Sequence, residues 1–281
     1  MRIGNTPLAW AACKGHEEVV EALLGRGDIN PDKPNSYGRT PLWCAAQNGY
    51  GGVVEMLLGR GDVNPDRTDI GGGTALLYAA WHGYLDVVKI LLGSDDVNPD
   101  KPDDHGRTPL WHAAYNGREE VVKILLGRGD INPDKTDSAG GTALLYAAWQ
   151  GNLEVVKVLL GSDDVNPDKP DNHGGTPLLH AAYNGHEGVV DILLGSDGVN
   201  PNKPDDHGRT PLWYAAYNGR EGVVKILLGR GDVNLDKPDN NGQTPLGCAV
   251  QNGHQGVVNI LLGLDDGDPG KSEPNTTLIR Y

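Results

Sequence analysis

One unit of 34 residues is repeated eight times along the chain without an insertion or a deletion. Eight threonines mark the period: Thr6, Thr40, Thr74, Thr108, Thr142, Thr176, Thr210 and Thr244. Three sets of glycines keep the same step, and one of them precedes each threonine by two residues. Because a unit of this size cannot bury its apolar residues alone, the period predicts a stack in which each unit contacts its neighbours.

Each repeat begins with the signals of a short helix, as the fourth copy, RTPLWHAAYNG, shows. Thr108 is expected to cap the helix N-terminus, and Pro109 stands at the first helical position, where its missing N–H costs little. Leu110 and Ala113 then fall on one helical face. Gly117 is expected to end the helix, because glycine adopts a positive φ easily.

A second helix is expected in the segment that follows, REEVVKILLGRG. Its apolar face is too wide for a single helical neighbour and consists of Val121, Val122, Ile124, Leu125 and Leu126. Stacking of similar units would cover such a face on two sides. Gly127 and Gly129 are expected to stop this helix, and the polar segment DINPDKTDSAG after them predicts an extended loop or hairpin.

The chain resembles the ankyrin-repeat family in the pattern TPL–AA–G–VV–LL–G–DVN, which recurs in one register over residues 4–263. The resemblance implies an all-α fold, an α-solenoid of about eight 34-residue helix-turn-helix-loop units. We expect the array to occupy residues 1–263 and a flexible tail to follow at residues 264–281. The repeats are expected to start near Gly4, Gly38, Gly72, Gly106, Gly140, Gly174, Gly208 and Gly242.

Two features distinguish this array from the usual family pattern. The typical histidine after TPL, which helps to link neighbouring repeats, is replaced by Ala9, Trp43, Leu77, Trp111, Leu145, Leu179, Trp213 and Gly247. We therefore expect apolar packing in place of that polar link. The segment GGTALLYAAW at 72–81 returns at 140–149, and such self-similarity resembles the ankyrin arrays of fungal NACHT-type, NLR-like receptor proteins.

The loops contain a stretch that resembles a calcium site, DDVNPDKPDDHG before the fourth repeat. Asp96, Asn98 and Asp100 alternate oxygen-bearing side chains, but an EF-hand loop also needs Gly at its sixth position and Glu at its twelfth. Lys101 and Arg107 stand at those positions. We therefore expect no metal and no cofactor, and we expect the Asp and Asn side chains to cap turn N–H groups instead.

Sequence motifs of phosphate-binding, catalytic and zinc sites are equally incomplete. The segment GDPGKS at 267–272 resembles a phosphate-binding loop, but Asp265 stands where the first Gly is required. The histidines are spread over the repeat, and no nucleophile, base and orienting acid can be nominated, so we expect no enzyme. His105, His173 and His207 recur at the repeat step, for which a solvated row is favoured over the alternative of a zinc site.

Composition excludes several classes of protein. The formal net charge of −14 opposes phosphate backbones and argues against nucleic-acid binding. We find neither an apolar run long enough to cross a membrane nor a signal-peptide pattern. The three cysteines, Cys13, Cys44 and Cys248, are too few for a disulfide framework and fit a reducing compartment. We therefore expect a monomeric, cytoplasmic protein in which Cys44 and Cys248 are small core residues.

By resemblance, an ankyrin array contacts a partner protein through the concave side formed by its loop tips and first helices. The contact positions would be the residues that flank each loop glycine and the two residues after each Ala-Ala pair. Repeats 3 to 7 place an aromatic residue there, which is typical of interface hot spots. The expected partner-binding residues are Tyr37, Arg39, Trp81, His82, His105, Arg107, Tyr115, Asn116, Trp149, Gln150, His173, Tyr183, Asn184, His207, Arg209, Tyr217 and Asn218.

Two questions stay open at this point. The aromatic residues could bind a partner, which their recurrence in five consecutive repeats favours, or they could pad the seam between neighbouring first helices. The function favoured is a protein–protein recognition module. The alternative is a ligand-sensing or regulatory arm of a larger fungal NLR-like NTPase receptor. The identity of the partner cannot be read from the residues.

Overall fold

The computed structural model describes residues 4–264, in which sixteen helices form eight pairs connected by turns and loops. No strand occurs in this part of the chain, which confirms the predicted all-α repeat of helix, helix and loop. None of the sixteen helices is long and apolar enough to cross a membrane. The segment GDPGKS and all but the first residue of the expected tail lie outside the described residues.

The chain divides into two compact units after Asn166. The first unit contains five helix pairs: α1 (Pro7–Lys14), α2 (Glu17–Leu24), α3 (Pro41–Gln47), α4 (Gly51–Leu58), α5 (Ala75–His82), α6 (Leu85–Leu92), α7 (Pro109–Tyr115), α8 (Glu119–Leu126), α9 (Ala143–Gln150) and α10 (Leu153–Leu160). The second unit contains three pairs: α11 (Pro177–Asn184), α12 (Glu187–Leu194), α13 (Pro211–Tyr217), α14 (Glu221–Leu228), α15 (Pro245–Gln251) and α16 (Gln255–Leu261).

The first helix of each repeat begins and ends as its sequence predicts. The Thr108 side chain accepts a hydrogen bond from the backbone N–H of Trp111 at 3.1 Å, and the threonines of the other seven repeats do the same. At the other end of α7, Gly117 has a φ of +68°, which an L side chain rarely adopts. The second helix α8 stops at Leu126, and Gly127 follows as its C-cap.

Within each unit, first helices pack against first helices and second helices against second helices. The alanine pair of α7, Ala113 and Ala114, is fully buried, so its small side chains allow a close approach. In α8, Val121 and Leu125 are buried, whereas Ile124 is half-buried. The wide apolar face is therefore covered from two sides, by α6 and α10, as stacking requires.

Apolar packing fills the position of the usual family histidine in most repeats. Trp43, Leu77 and Trp111 are among the residues buried there, with no more than 6% of their surface exposed. The indole of Trp213 is different, because its N–H donates to the backbone carbonyl of Gln243 in the next repeat at 3.0 Å. A polar link between neighbouring repeats therefore persists at this one tryptophan.

The stretch that resembles a calcium loop is a ladder of hydrogen bonds between neighbouring repeats. The carboxylate of Asp66 accepts the backbone N–H of Asn98 at 3.2 Å, and Asn98 in turn accepts the N–H of Asp100 at 3.0 Å. Lys101, at the sixth position of the motif, donates to the carbonyl of Asp66 at 2.7 Å. We call these contacts the loop ladder. It recurs in the pairs Asp32–Asn64, Asp134–Asn166 and Asn202–Asn234.

Candidate recognition site

In repeats 3 to 8, the loop tip before the first helix is organised around one aspartate side chain. In repeat 4, Asp103 Oδ1 accepts the backbone N–H groups of His105 at 2.9 Å and Arg107 at 3.0 Å. The other oxygen, Oδ2, accepts Arg107 Nε at 2.8 Å and lies 3.3 Å from His112 Nε2. The carboxylate therefore holds the tip in place and orients both residues that flank Gly106.

A ring from the first helix reaches back to this carboxylate in several repeats. In the first unit, the Tyr78 hydroxyl donates to Asp69 at 2.9 Å, as His112 contacts Asp103. In the second unit, the equivalent contacts are His180–Asp171 and Tyr214–Asp205, each at 2.8 Å. This role was not predicted from the sequence. Its signal is the Tyr or His that follows the Trp or Leu of the TPL or TAL motif in repeats 3 to 7.

Burial and hydrogen bonding compete at this cluster. Burial disfavours the charge of Asp103, but His112, Arg107 and two backbone N–H groups outweigh it and hold the pKa of this carboxyl well below its usual range. Burial lowers the pKa of His112, although its contact with Asp103 opposes that shift. In repeat 3, burial and the hydrogen bond to Asp69 raise the pKa of Tyr78 to about 12.

An arginine at the loop tip covers the tryptophan of its own repeat. The guanidinium carbon lies 4.3 Å from the Trp43 ring centre for Arg39 and 5.4 Å from that of Trp111 for Arg107. Repeat 7 shows the same contact at 5.2 Å. Three of the repeats that lack the arginine have Gly at its position and Leu at the tryptophan position: Gly73 and Leu77, Gly141 and Leu145, Gly175 and Leu179. The RTPLW and GTxLL forms are thus two packing solutions.

Glycine at these positions also leaves room for the ring of the first helix. A Cβ atom added to Gly141 would lie 2.4 Å from the Tyr146 ring, which is too close for any real contact. A Cβ atom at Gly73 would lie 2.5 Å from the Tyr78 ring. In these two repeats the ring therefore lies where a loop-tip side chain would otherwise stand.

The predicted aromatic residues are both packed and exposed. Trp81 stacks on His112 of the next repeat with ring centres 5.0 Å apart, and 38% of its surface remains exposed. Tyr115 stacks on Trp111 of its own helix at 5.0 Å and is 37% exposed. Trp149 in the first unit and Tyr183 and Tyr217 in the second are exposed to a similar degree. The same rings thus pack against neighbouring side chains and remain partly exposed to solvent.

A pocket of about 520 Å³ lies between repeats 3, 4 and 5 of the first unit. Five of the predicted residues line it: Trp81, His105, Arg107, Tyr115 and Asn116. Five others were not predicted: Trp111, His112, Asp137, Ser138 and Tyr146. Its wall is mainly aromatic, with hydrogen-bonding groups at its edge, so it suits a side chain or a short segment of a ligand.

The remaining predicted residues occupy other parts of the two units. Tyr37 and Arg39 lie at the loop tip of repeat 2, with the guanidinium 5.4 Å from the Tyr37 ring centre. His82 and Gln150 are exposed at the ends of α5 and α9. In the second unit, His173 and His207 are exposed at loop tips, and Arg209 is half-buried. Among residues 4–264, no group of three or more His, Cys, Asp or Glu side chains is placed to hold a metal ion.

The asparagines after the aromatic residues have a structural role that the sequence analysis did not predict. The side-chain amide of Asn116 donates to the His112 carbonyl at 2.8 Å. Asn184 and Asn218 make the same contact in the second unit, at 3.1 and 2.9 Å. Each amide satisfies a carbonyl group near the C-terminal end of its helix, which helps to terminate that helix. Their contact with a partner stays a prediction.

A family model described as ankyrin repeats (3 copies) matches the chain at residues 2–69, 32–103, 62–137, 130–205 and 197–272. The chain belongs to the ankyrin-repeat family. Its fold is the all-helical ankyrin solenoid, a scaffold for protein–protein interaction, and this protein is accordingly an interaction module. Neither the family model nor the structural match below supports the further resemblance to fungal NLR-like receptors.

Among solved structures, this ankyrin-repeat chain is similar to the crystal structure of the ankyrin repeat domain of Bcl-3, described as a unique member of the IkappaB protein family. The two sequences are 28% identical, and the TM-score is 0.70. The alignment covers 80% of this chain and 99% of the Bcl-3 domain. No curated protein sequence matches the chain.

Proposed function

We propose that this ankyrin-repeat protein binds a segment of a partner protein in the pocket between repeats 3 and 5. The proposal rests on one observation. Five residues predicted from the sequence line one pocket of about 520 Å³: Trp81, His105, Arg107, Tyr115 and Asn116. A partner side chain would enter between the aromatic rings. Loop-tip groups at the edge would hydrogen-bond to its backbone.

The pocket is prepared for binding before a ligand arrives. The Arg107 side chain is held by its ion pair with Asp103 at 2.8 Å, and Trp81 is held by stacking on His112. Residues that are already ordered lose little conformational entropy when a partner binds. Partly exposed Trp and Tyr rings beside an Arg also match the composition of interface hot spots.

The same proposal extends to the rest of the predicted surface. In the first unit it includes Tyr37, Arg39, His82, Trp149 and Gln150. In the second unit it includes His173, Tyr183, Asn184, His207, Arg209, Tyr217 and Asn218. Resemblance to the family supports these positions, and the exposure of the four Tyr and Trp rings among them, between 37% and 42%, is compatible with it. They would lengthen the contact with an extended partner.

The wider setting is proposed from the sequence. The net charge of −14 supports a protein partner over nucleic acid, and the composition supports a monomer in the cytoplasm. A regulatory arm of a larger fungal NLR-like receptor is the alternative setting, suggested by the duplicated segment at 72–81 and 140–149. The full-length gene tests it, because that alternative requires a neighbouring nucleotide-binding domain.

A random peptide library displayed on phage tests the binding site without a known partner. Peptides selected on the wild-type protein should lose at least about 30-fold in affinity on Tyr115→Ala or Trp81→Ala, the effect of a hot-spot ring. Trp10→Ala is the matched control, because Trp10 is 54% exposed but lies in repeat 1, outside the pocket. Equal losses at Trp10 and Tyr115, or full binding by a folded Tyr115→Ala protein, would contradict the proposal.

A further inference from the structure

Two cysteines meet between repeats 1 and 2. Cys13 lies in α1 and Cys44 in α3, and these two first helices pack against each other. Cys44 is buried, with 2% of its surface exposed, whereas Cys13 is half-buried. The two thiols lie close enough for the pKa of each to be shifted by the other.

The repeat geometry supports this contact independently. Positions 13 and 44 recur in later repeats as the pairs 81 and 112, 115 and 146, and 183 and 214. The side chains of all three pairs touch, with ring centres 5.0, 6.1 and 5.5 Å apart. The fold therefore brings these two positions together wherever they occur within a unit. Repeats 1 and 2 place a cysteine at both of them.

The pKa values of the two thiols are shifted in opposite directions, as expected for a thiol that attacks an oxidant and a second thiol that then closes the disulfide. The neighbouring Cys44 thiol lowers the pKa of Cys13, and the positive charges of Lys14 and Arg39 act in the same direction against the effect of burial. The Cys13 thiol and burial raise the pKa of Cys44. A half-exposed thiol with a lowered pKa beside a second thiol has the features of an oxidation-sensitive site.

We propose that Cys13 and Cys44 form a site of reversible thiol oxidation, which hydrogen peroxide converts into a disulfide between repeats 1 and 2. The Cys13 thiolate attacks one peroxide oxygen, the O–O bond breaks, and hydroxide leaves as Cys13 becomes a sulfenic acid. The Cys44 sulfur then attacks the Cys13 sulfur, and the S–O bond breaks to release water. Two thiols and one peroxide molecule give one disulfide and two water molecules.

The disulfide would tie repeat 1 to its neighbour. Among the described residues, α1 and α2 pack on a single neighbouring repeat, so this pair gains most from a covalent link. A cross-link restricts the opened state of the segment that it closes. We therefore expect amide exchange in residues 7–24 to slow by about tenfold or more after oxidation, at a disulfide's usual contribution to stability.

Peptide mapping after mild treatment with hydrogen peroxide tests the proposal. Trypsin separates the two cysteines, because Lys14 and Arg26 lie between them in the sequence. The wild-type protein should lose about 2 Da, the mass of two thiol hydrogens, and yield one linked peptide pair that a thiol reductant separates. Cys13→Ser should abolish the link, and Cys44→Ala should leave Cys13 as a sulfenic acid that reacts with dimedone.

Cys248 provides a matched control in the same chain. It occupies the Cys44 position in repeat 8, where Tyr217 stands in place of a second cysteine, and burial raises its pKa to about 11. Cys248→Ser should oxidise like the wild-type protein. Oxidation of Cys13 beyond the sulfenic acid without any link to Cys44, or a link only between two molecules, would overturn the proposal.

Discussion

The same 34-residue unit supplies both the loop ladder and the pocket face, by which we mean the loop tips and the first helices beside them. The two regions nevertheless vary differently from one repeat to the next. The ladder repeats its chemistry: an oxygen of one loop accepts the Asn N–H of the next, as in Asp32–Asn64 and Asp134–Asn166. The pocket face varies among the repeats, for example from Arg107 and Trp111 in repeat 4 to Gly141 and Leu145 in repeat 5. The constant residues of the loop ladder stabilise the stack of repeats, and the variable residues of the pocket face determine the local shape of the surface.

The variation is confined by the packing around it. In repeat 4 the guanidinium of Arg107 covers the indole of Trp111, whereas in repeat 5 the Tyr146 ring lies where a side chain at position 141 would stand. The pocket forms where the loop tip of repeat 4, which has an arginine, lies between residues of repeats 3 and 5. Side chains of three neighbouring repeats thus combine to form one pocket.

The largest effect is expected from the carboxylate that holds the loop tip beside the pocket. Asp103→Ala removes the acceptor of two backbone N–H groups and the partner of Arg107 and His112, so we expect a loss of about 3 kcal/mol in the free energy of unfolding. Urea denaturation measures it. Asp104→Ala, at the exposed neighbouring position, is the control and should stay within about 0.5 kcal/mol. A comparable loss in both variants would mean that the buried carboxylate has no special role.

A pH dependence is expected from His112. Because burial lowers the pKa of His112 in the folded protein, the unfolded chain takes up this proton first, and stability falls as the pH drops below about 6.5. The slope is at most about 1.4 kcal/mol per pH unit for one proton. Asp103, with its lowered pKa, contributes stability that is lost only below its usual range, about pH 4.

His112→Tyr should reduce the slope near pH 6 and retain the fold, because Tyr78 and Tyr214 make the same contact in their repeats. Burial also lowers the pKa of His82, which accounts for part of the remaining slope. Melting temperatures at pH 7.5 and 5.5 provide the comparison, and His105→Gln, a replacement at an exposed histidine of the same loop tip, is the control. An unreduced slope in His112→Tyr would locate the titrating group elsewhere.

A smaller effect is expected in the ladder. Asp66→Ala removes the acceptor of the Asn98 N–H, a contact at the surface, and should cost about 1 kcal/mol. Amide exchange should quicken locally, at Asn98, while the pocket residues keep their protection. Loss of peptide binding in this variant would show that the ladder and the pocket face are not separable.

The smallest effect is the coupling between Arg107 and Trp111. Arg107→Gly, Trp111→Leu and the double variant, which copies the repeat 5 pattern, form a double-mutant cycle. We expect a coupling free energy of about 0.5–1 kcal/mol, the usual contribution of a cation–π contact at a partly exposed site. Additive losses would mean that arginine and tryptophan occur together for a reason other than their contact.

The helices and the stack could be predicted because their signals are local. Thr108, Pro109 and Gly117 act on the backbone within a few residues, and the period of 34 residues requires stacking. The role of Asp103 could not be predicted, because an Asp in a polar loop has the same local sequence whether it is solvated or buried. The pocket could not be predicted either, because Trp81, Arg107 and Tyr146 belong to three different repeats and come together only once the repeats are stacked.

Hydrogen exchange with and without a selected peptide is the most direct test of the proposed binding site, because it locates the contact along the whole described chain. Exchange is followed in the wild-type protein at saturating peptide. We expect slowed exchange at residues 105–116 and 137–146, around the pocket, and unchanged exchange in the ladder segment 95–101. Protection confined to the loop ladder or to the second helices, with exchange of the pocket segments unchanged, would contradict the proposal that the peptide binds at the pocket face.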